Sequence, residues 1–164
     1  MTDVMTPEQR SRCMAAVKGK DTTPEMIFRK YLFSKGLRYR LHDKHLPGSP
    51  DIVLKKYKTV IFIDGCFWHG YEGCRYFRLP KSNEFFWEQK IRRNKARDIS
   101  TDYVLQTEDW KVIRIWECEI RKVSGRAEKL KELFYQIVTP KLSYEPSHQT
   151  IEIVAEPKEW YNNN

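Results

Sequence analysis

Acidic residues at the ends of two strand-like runs are the first candidates for chemistry. Asp51 begins one run and Asp64 ends the next. If the two runs pair as a hairpin, both carboxylates lie near one end of it, where oxygen donors can hold Mg²⁺. Glu25 is a third acidic candidate, and His69 can pass a proton near neutral pH. Because acids at strand ends are usually solvated and a single loop histidine is usually a surface or capping residue, the pattern alone leaves this site open.

Three cysteines form a second candidate site. Cys66 and Cys74 stand eight positions apart, which is longer than the usual spacing of paired zinc ligands, and Cys118 follows a later strand-like run. If that run lies next to the strand that ends at Asp64, it can place Cys118 beside the loop that follows Asp64. The three residues predict a structural zinc site. The fourth ligand is open, with His69 and Glu72 as candidates.

Large aromatic residues lie near both candidate sites in the sequence. Phe67 and Trp68 are adjacent, and Trp87 lies in a polar, helix-like segment. Such rings either anchor a core or insert between base pairs, where a wedge unstacks a base step. The pattern does not choose between these roles for Phe67 and Trp68, whereas Phe85 and Phe86 are assigned to the core.

The composition favours a polyanionic partner. The 164 residues carry a net charge of +8 with a pI near 9.3, and 13% are aromatic. Basic residues interleaved with aromatic ones suit DNA or RNA, although ribosomal and membrane-surface proteins share this charge balance. The absence of a long apolar run and the polar N-terminus predict a soluble cytoplasmic protein without a membrane segment.

The order of predicted elements is that of one mixed α/β domain. Helices are predicted over 7–17, from Thr22 or Thr23 to Gly36, and over 124–138, with two helices or one long broken helix between 81 and 109. Strands are predicted over 37–42, 51–56, 58–64 and 110–120, with a possible short strand at 150–154. The run 58–64 is apolar on both faces, so it is expected at the centre of the sheet.

Five segments together resemble the very-short-patch repair endonucleases, the Vsr-type mismatch nickases. They read DTTPE, LPGSPDIV, VIFIDGCFWHG, PKSNEFFWEQKIRRNKARD and WKVIRIWECEI, and the resemblance covers about residues 5–138. It implies a fold similar to the PD-(D/E)xK restriction endonucleases, a mixed sheet flanked by helices. It also implies an endonuclease domain over 1–140 with an N-terminal helical arm, followed by a tail at 141–164 of unknown role.

The resemblance implies a function and a set of catalytic roles. Members nick duplex DNA 5′ to the thymine of a T:G mismatch, which arises when 5-methylcytosine deaminates. Asp51 would be the central Mg²⁺ ligand, joined by the backbone carbonyl of Ile63, and Glu25 would act through a water on the metal. His69 would handle the proton, with Asp98 as its supporting carboxylate. The implied DNA-contacting and intercalating residues are Phe67, Trp68, Trp87, Lys90 and Asn94.

The chain departs from the family pattern at two positions. Asp64 stands where some relatives have histidine, so it is expected to be an additional metal ligand or a catalytic base. Tyr71 stands where a cysteine or histidine zinc ligand is often found. A zinc site of Cys66, Cys74 and Cys118 completed by another group is the resulting expectation.

Two alternatives to mismatch nicking remain at the level of the sequence. A restriction or defence endonuclease of the same fold would cut modified or foreign DNA, and a non-catalytic, zinc-stapled module would only bind it. The repair function implies a link to a 5-methylcytosine DNA methyltransferase, mismatch-repair proteins as further partners, and association with the nucleoid.

Overall fold

The computed structural model of the chain describes residues 18–75, 77–81 and 83–140, together with Thr6, Glu8, Gln9, Arg12, Ala15 and Ala16. The helix predicted at 7–17 lies largely outside these residues. The tail at 141–164, with its possible strand at 150–154, lies wholly outside them. Over the described ranges, none of the helices combines the length and the apolar character that a membrane span requires.

Helix α1, Thr23–Ser34, begins at a capping box. The Thr22 hydroxyl accepts a hydrogen bond from the Glu25 N–H, and the Glu25 carboxylate accepts one from the Thr22 N–H, both at 3.4 Å. This reciprocal pair satisfies amide groups that have no partner within the helix. Phe28 and Leu32 are fully buried on the side of α1 that faces the sheet, as their helical spacing predicts.

Within the described ranges, the sheet contains four strands in the order of the chain. They are β1 Arg40–Leu41, β2 Ile52–Leu54, β3 Thr59–Asp64 and β4 Lys111–Trp116. The first three are antiparallel neighbours, whereas β3 and β4 are parallel. The predicted hairpin and the interior position of the third strand are therefore confirmed.

Three strands are shorter than the sequence predicts. The run 51–56 ends at Leu54, because the 3₁₀ turn Lys55–Tyr57 and the left-handed Lys58 reverse the chain. The run 37–42 is paired only over the two residues of β1. The prediction for 110–120 is wrong after Trp116, where the short helix α3, Glu117–Arg121, begins. The Glu119 carboxylate accepts the Trp116 N–H at 2.9 Å and so starts the helical turn.

Helix α2, Glu84–Thr107, is one continuous helix of 24 residues that connects the parallel strands β3 and β4, so the prediction of two helices or a broken helix is wrong. Trp87 and Ile91, one helical turn apart, are buried on its inner side. The assignment of Phe85 and Phe86 to the core is wrong, because these side chains are 74% and 55% exposed. Both positions precede Trp87 directly, and successive residues of a helix point in different directions.

Helices cover both faces of the sheet, as predicted. On one face, α1, α3 and the closing helix α4, Arg126–Val138, pack against Ile52, Leu54, Ile61, Ile113 and Ile115. The opposite face carries Val53, Val60 and Phe62, which pack with Leu105 of α2 and with Trp110. This alternation follows from the two-residue period of a strand. The hairpin end that carries Asp51 and Asp64 lies between these two layers.

Candidate active site

Asp51 and Asp64 lie at the same end of the β2–β3 hairpin. Asp51 directly precedes β2, and its Oδ2 accepts a 2.7 Å hydrogen bond from the Ile63 N–H. Asp64 is the last residue of β3 and is only 5% exposed. The antiparallel register, in which Ile52 faces Ile61, brings the start of one strand beside the end of the other. The positions of the two acids predicted from the hairpin are thus confirmed.

The electrostatic environment of Asp51 suits a cation. Burial, together with the nearby carboxylates of Glu25 and Asp64, raises the pKa of Asp51 to about 6. The Ile63 N–H and the Arg29 guanidinium act in the opposite direction, but they do not cancel the burial. Oxygen donors with excess negative charge are the usual environment of Mg²⁺, so these residues fit the implied metal.

Asp64 is held by Arg114, a residue of β4 that the sequence analysis did not identify. Arg114 Nη1 donates to Asp64 Oδ2 at 2.8 Å, and its Nε donates to Asp102 Oδ2 at 2.9 Å. Its guanidinium also lies over the Phe62 ring, 4.5 Å from the ring centre. Burial raises the pKa of Asp64, whereas His69 and Arg114 oppose this rise. A charged residue inside the apolar run KVIRIW was the available signal, because a partly buried arginine requires anionic partners.

His69 and Asp98 form a hydrogen-bonded pair. His69 Nδ1 lies 2.5 Å from Asp98 Oδ2, and its Nε2 lies 3.7 Å from Asp64 Oδ1. In the tautomer whose Nδ1–H donates a hydrogen bond to the Asp98 carboxylate, the other ring nitrogen is available for proton exchange. The pairing implied by the family resemblance is therefore present, although the catalytic roles of the two residues remain predictions.

The loop that carries His69 packs closely against helix α2. Gly70 has φ +65°, and a Cβ at this position would lie 2.5 Å from Ile91 Cγ2. Only glycine combines this backbone conformation with so close an approach. Asn94 Nδ2 donates to the Trp68 carbonyl at 2.8 Å, so this predicted DNA contact holds the loop in place.

His42 and Arg29 are two further residues that the sequence analysis missed. The His42 N–H donates to the Asp51 carbonyl at 3.2 Å, and Arg29 Nη2 lies 2.9 Å from His42 Nε2 and donates to Glu25 Oε2 at 2.7 Å. Burial and Arg29 lower the pKa of His42 against the opposing Glu25 carboxylate, which favours a neutral ring that accepts from Arg29. The four-residue spacing of Glu25 and Arg29 on one helix was a usable signal. Glu25 is therefore an ion-paired, helix-capping residue, and its role through a water remains a prediction.

An aromatic cluster lies beside the catalytic candidates. The rings of Phe67 and Trp87 are 5.2 Å apart, and those of Trp68 and Trp87 are 6.0 Å apart. Phe67 and Trp68 are partly exposed, whereas Trp87 is 9% exposed. Lys90 Nζ lies 5.2 Å from the centre of the Trp68 ring. The cluster thus joins a positive charge to flat, partly accessible rings, which suits contact with nucleic-acid bases.

The three predicted zinc ligands converge. The sulfur atoms of Cys66, Cys74 and Cys118 lie within 4.8 Å of one another, so the predicted reach of Cys118 is confirmed. Burial is the main cause of the raised pKa of the Cys66 thiol. A bound cation would lower this pKa, because the metal takes the place of the thiol proton. This all-sulfur donor set fits Zn²⁺. The proposed fourth ligands do not join it, since His69 pairs with Asp98 and Glu72 pairs with Lys95.

Replacing Arg114 with Met is expected to lower the free energy of unfolding by about 3 kcal/mol or more, because buried Asp64 loses its partner. Asp102 loses the same guanidinium. Urea denaturation measures the change. Arg92→Met, at an exposed position of α2, is the matched control. Equal stability of the two variants would show that Arg114 does not hold this end of the sheet.

Comparisons with known proteins agree with the class of protein that this geometry indicates. A mixed sheet flanked by helices, with buried acids at a hairpin end and a histidine–aspartate pair beside them, defines a nuclease of the restriction-endonuclease class. The family model for the DNA mismatch endonuclease Vsr matches residues 2–75. The type II nicking enzyme V.NmeAIP of Neisseria meningitidis serogroup A is 47% identical over 137 residues, which are 84% of this chain and 97% of that protein.

Two further relatives agree with this match. The type II nicking enzyme V.XorIIP of Xanthomonas oryzae pv. oryzae is 44% identical over 81% of this chain and 97% of its own length. The DNA mismatch endonuclease Vsr of Escherichia coli is 40% identical over 80% of this chain and 81% of its own length. The chain belongs to the Vsr DNA mismatch endonuclease family, has its restriction-endonuclease-like fold and is an endodeoxyribonuclease.

Proposed function

We propose that the protein is a Mg²⁺-dependent mismatch endonuclease that nicks duplex DNA 5′ to the thymine of a T:G mismatch. The observation that carries this proposal is the convergence of Asp51, Asp64 and the His69–Asp98 pair beside an aromatic cluster. This arrangement supports metal-assisted hydrolysis and base unstacking at neighbouring positions. A pure DNA-binding module needs no buried acids facing a phosphate, and the non-catalytic alternative is set aside.

Each residue of the candidate active site has a separate role in the proposed reaction. When bound at Asp51, Mg²⁺ would supply charge neutralisation at the scissile phosphate. Asp51 is fixed in orientation by the Ile63 N–H, and the Ile63 carbonyl is the second proposed metal ligand. His69 exchanges a proton through Nε2 while Asp98 holds Nδ1. Asp64, 3.7 Å from that nitrogen, stabilises the protonated ring and is positioned by Arg114.

The exposed basic residues of α2 bind the DNA backbone next to this site. Lys90, Arg92, Arg93, Lys95 and Arg97 are exposed along one stretch of the helix. Their contacts with phosphates release counterions, so affinity falls as salt rises. Phe67 and Trp68 then open the base step, which is easier at a mismatch than at a matched pair.

Trp68→Ala is expected to reduce the preference for T:G over matched DNA by about tenfold, because the ring that unstacks the step is lost. Nicking rates on the two duplexes measure the ratio, and a melting curve checks that the aromatic cluster remains folded. Tyr135→Ala, which truncates a 54% exposed ring on α4, is the matched control. Unchanged discrimination in folded Trp68→Ala protein would count against the wedge.

Nicking of three duplex pools tests the proposed substrate. The pools carry a T:G mismatch, the matched T:A pair or a methylated C:G pair, each within randomised flanking sequence so that the unknown base context is included. We expect nicking of the T:G pool only, dependent on added Mg²⁺. Equal cleavage of all three pools would overturn the repair function.

A second function is favoured by the names of two relatives, which are type II nicking enzymes. Sequence-specific nicking in restriction or defence would require a recognition site but no mismatch. It predicts cleavage of the matched or methylated pool at one recurring sequence. The same experiment therefore separates the two functions.

The proposed repair function carries implied partners. A T:G mismatch arises by deamination of 5-methylcytosine, so the protein would act on the products of a 5-methylcytosine DNA methyltransferase. Mismatch-repair proteins would handle the nicked strand. Both links, and association with the nucleoid, depend on the proposed substrate.

A further inference from the structure

The thiol cluster of Cys66, Cys74 and Cys118 offers three ligands where zinc takes four. Cys66 and Cys74 are 3% and 6% exposed, and Cys118 is partly exposed on α3. Among the described residues, no fourth histidine, cysteine or carboxylate atom joins this group within 4.8 Å of the three sulfurs. The described part of the chain therefore supplies three of the four positions of a tetrahedral centre.

Tyr71, which lies between two of the cysteines, packs against another ring. Its ring stacks on Trp116 with centres 4.4 Å apart and an interplanar angle of 2°. Its backbone remains part of the ligand loop, since its N–H donates to the Cys66 carbonyl at 2.9 Å and its carbonyl accepts from the Cys74 N–H at 3.1 Å. The loop thus keeps its shape while the side chain is engaged by Trp116.

The nearby carboxylates are also engaged. Glu117 Oε1 accepts the Cys66 N–H at 3.2 Å. Glu119 accepts the Trp116 N–H at 2.9 Å and pairs with Lys129 at 3.1 Å. Glu72 pairs with Lys95 at 3.5 Å and is exposed. Each of these acids already has a partner, and none of them joins the three sulfurs as a candidate ligand.

An open cavity adjoins the three sulfurs. It has a volume of about 750 Å³, and its lining includes all three cysteines, three basic residues and two acidic ones, namely Arg75, Arg121, Lys122, Glu117 and Glu119. Three thiolates and one divalent zinc ion carry a net charge of −1, and a fourth anionic ligand makes it −2. The three basic residues exceed the two acidic ones by one positive charge, which offsets part of this charge, so a small anionic ligand can enter from solvent.

We propose that this centre binds zinc through three cysteine thiolates and takes its fourth ligand from solvent, with low-molecular-weight thiolates as the preferred class. The incoming thiol loses its proton to water as its sulfur binds the metal in place of a solvent molecule, with no change of oxidation state. Soft thiolate ligands match the three already present. The inference is independent of the nicking proposal, because it concerns coordination and not the reaction at Asp51.

Cobalt substitution of the full-length protein tests the proposal. We expect one Co²⁺ per chain, and titration with 2-mercaptoethanol should raise the sulfur-to-cobalt charge-transfer absorbance saturably by about one third, as three sulfur ligands become four. Cys118→Ser should lose much of the metal. An absorbance that does not respond to the thiol, or a protein that does not retain the metal, would overturn the proposal.

Two substitutions at Tyr71 make the test specific. Tyr71→His supplies a protein ligand, so its spectrum should differ before the thiol is added and should not respond to it. Tyr71→Phe keeps the stack on Trp116 but lacks the hydroxyl, and it should respond as the natural protein does. A changed spectrum of Tyr71→Phe in the absence of thiol would identify the tyrosine hydroxyl as the fourth ligand and contradict the open site.

Discussion

Asp51→Asn is expected to lower the nicking rate by about 10³-fold or more while leaving DNA affinity within a few-fold. Asn keeps an oxygen that can accept the Ile63 N–H, so the hairpin end retains its geometry. It removes the charge that would hold Mg²⁺ at the scissile phosphate. Phosphate contacts of the basic helix do not involve Asp51, so binding persists.

The same substitution is expected to stabilise the metal-free protein. The pKa of Asp51 is about 6 in the folded state against an ordinary value of 3.8, so the folded state binds more protons between these values. The free energy of unfolding therefore falls as pH rises through this window, by about 2 to 3 kcal/mol at neutral pH. Asn does not ionise and avoids this loss.

Nicking under single-turnover conditions, DNA binding in the absence of metal, and urea denaturation with EDTA measure the three effects. Denaturation at pH about 5 and about 7.5 should show that the stability gain of Asp51→Asn grows with pH. Glu128→Gln, at an exposed position in the first turn of α4, controls for the loss of one negative charge. Normal nicking by Asp51→Asn would show that the metal site is misplaced.

His69→Gln is expected to slow nicking by about 10²- to 10⁴-fold, because proton transfer through Nε2 is lost. Asp98→Asn should give a smaller loss, since the imidazole remains but is no longer held by a carboxylate at Nδ1. Both variants should bind T:G duplexes as tightly as the natural protein.

A pH–rate profile distinguishes the proposed proton carrier, His69, from its supporting carboxylate, Asp98. The Asp98→Asn variant should shift the His69-dependent limb of the profile, whereas His69→Gln should remove that limb. His45→Gln, which replaces an exposed histidine, is the matched control. A folded His69→Gln protein with an unaltered rate and profile would exclude His69 as the proton carrier.

Local sequence patterns were sufficient for the hairpin and its acids. Asp51 and Asp64 flank two apolar strand runs, and antiparallel pairing necessarily brings those flanks together. The capping box at Thr22 and Glu25 likewise depends only on neighbouring residues. The catalytic roles of these acids came from the family resemblance, because spacing does not distinguish a metal ligand from a solvated carboxylate.

The contacts of Arg114 and the orientation of the three consecutive aromatic residues depend on long-range packing. Arg114 of β4 contacts Asp64 on β3 and Asp102 on α2. The sequence does not specify which acids a strand arginine will contact. Phe85, Phe86 and Trp87 are consecutive aromatics, so their order does not reveal which one faces inward. The direction is set by the turn of α2 that buries Trp87 with Ile91.

The position of the nick on an end-labelled duplex tests the central claim most directly. Duplexes with one T:G mismatch in randomised flanks are incubated with Mg²⁺, and the new DNA ends are sequenced on both strands. We expect ends immediately 5′ to the mismatched thymine, none on the guanine strand, and none with Asp51→Asn. Ends distributed over both strands, or equally frequent at matched T:A pairs, would contradict a mismatch-specific nickase built on the Asp51 site.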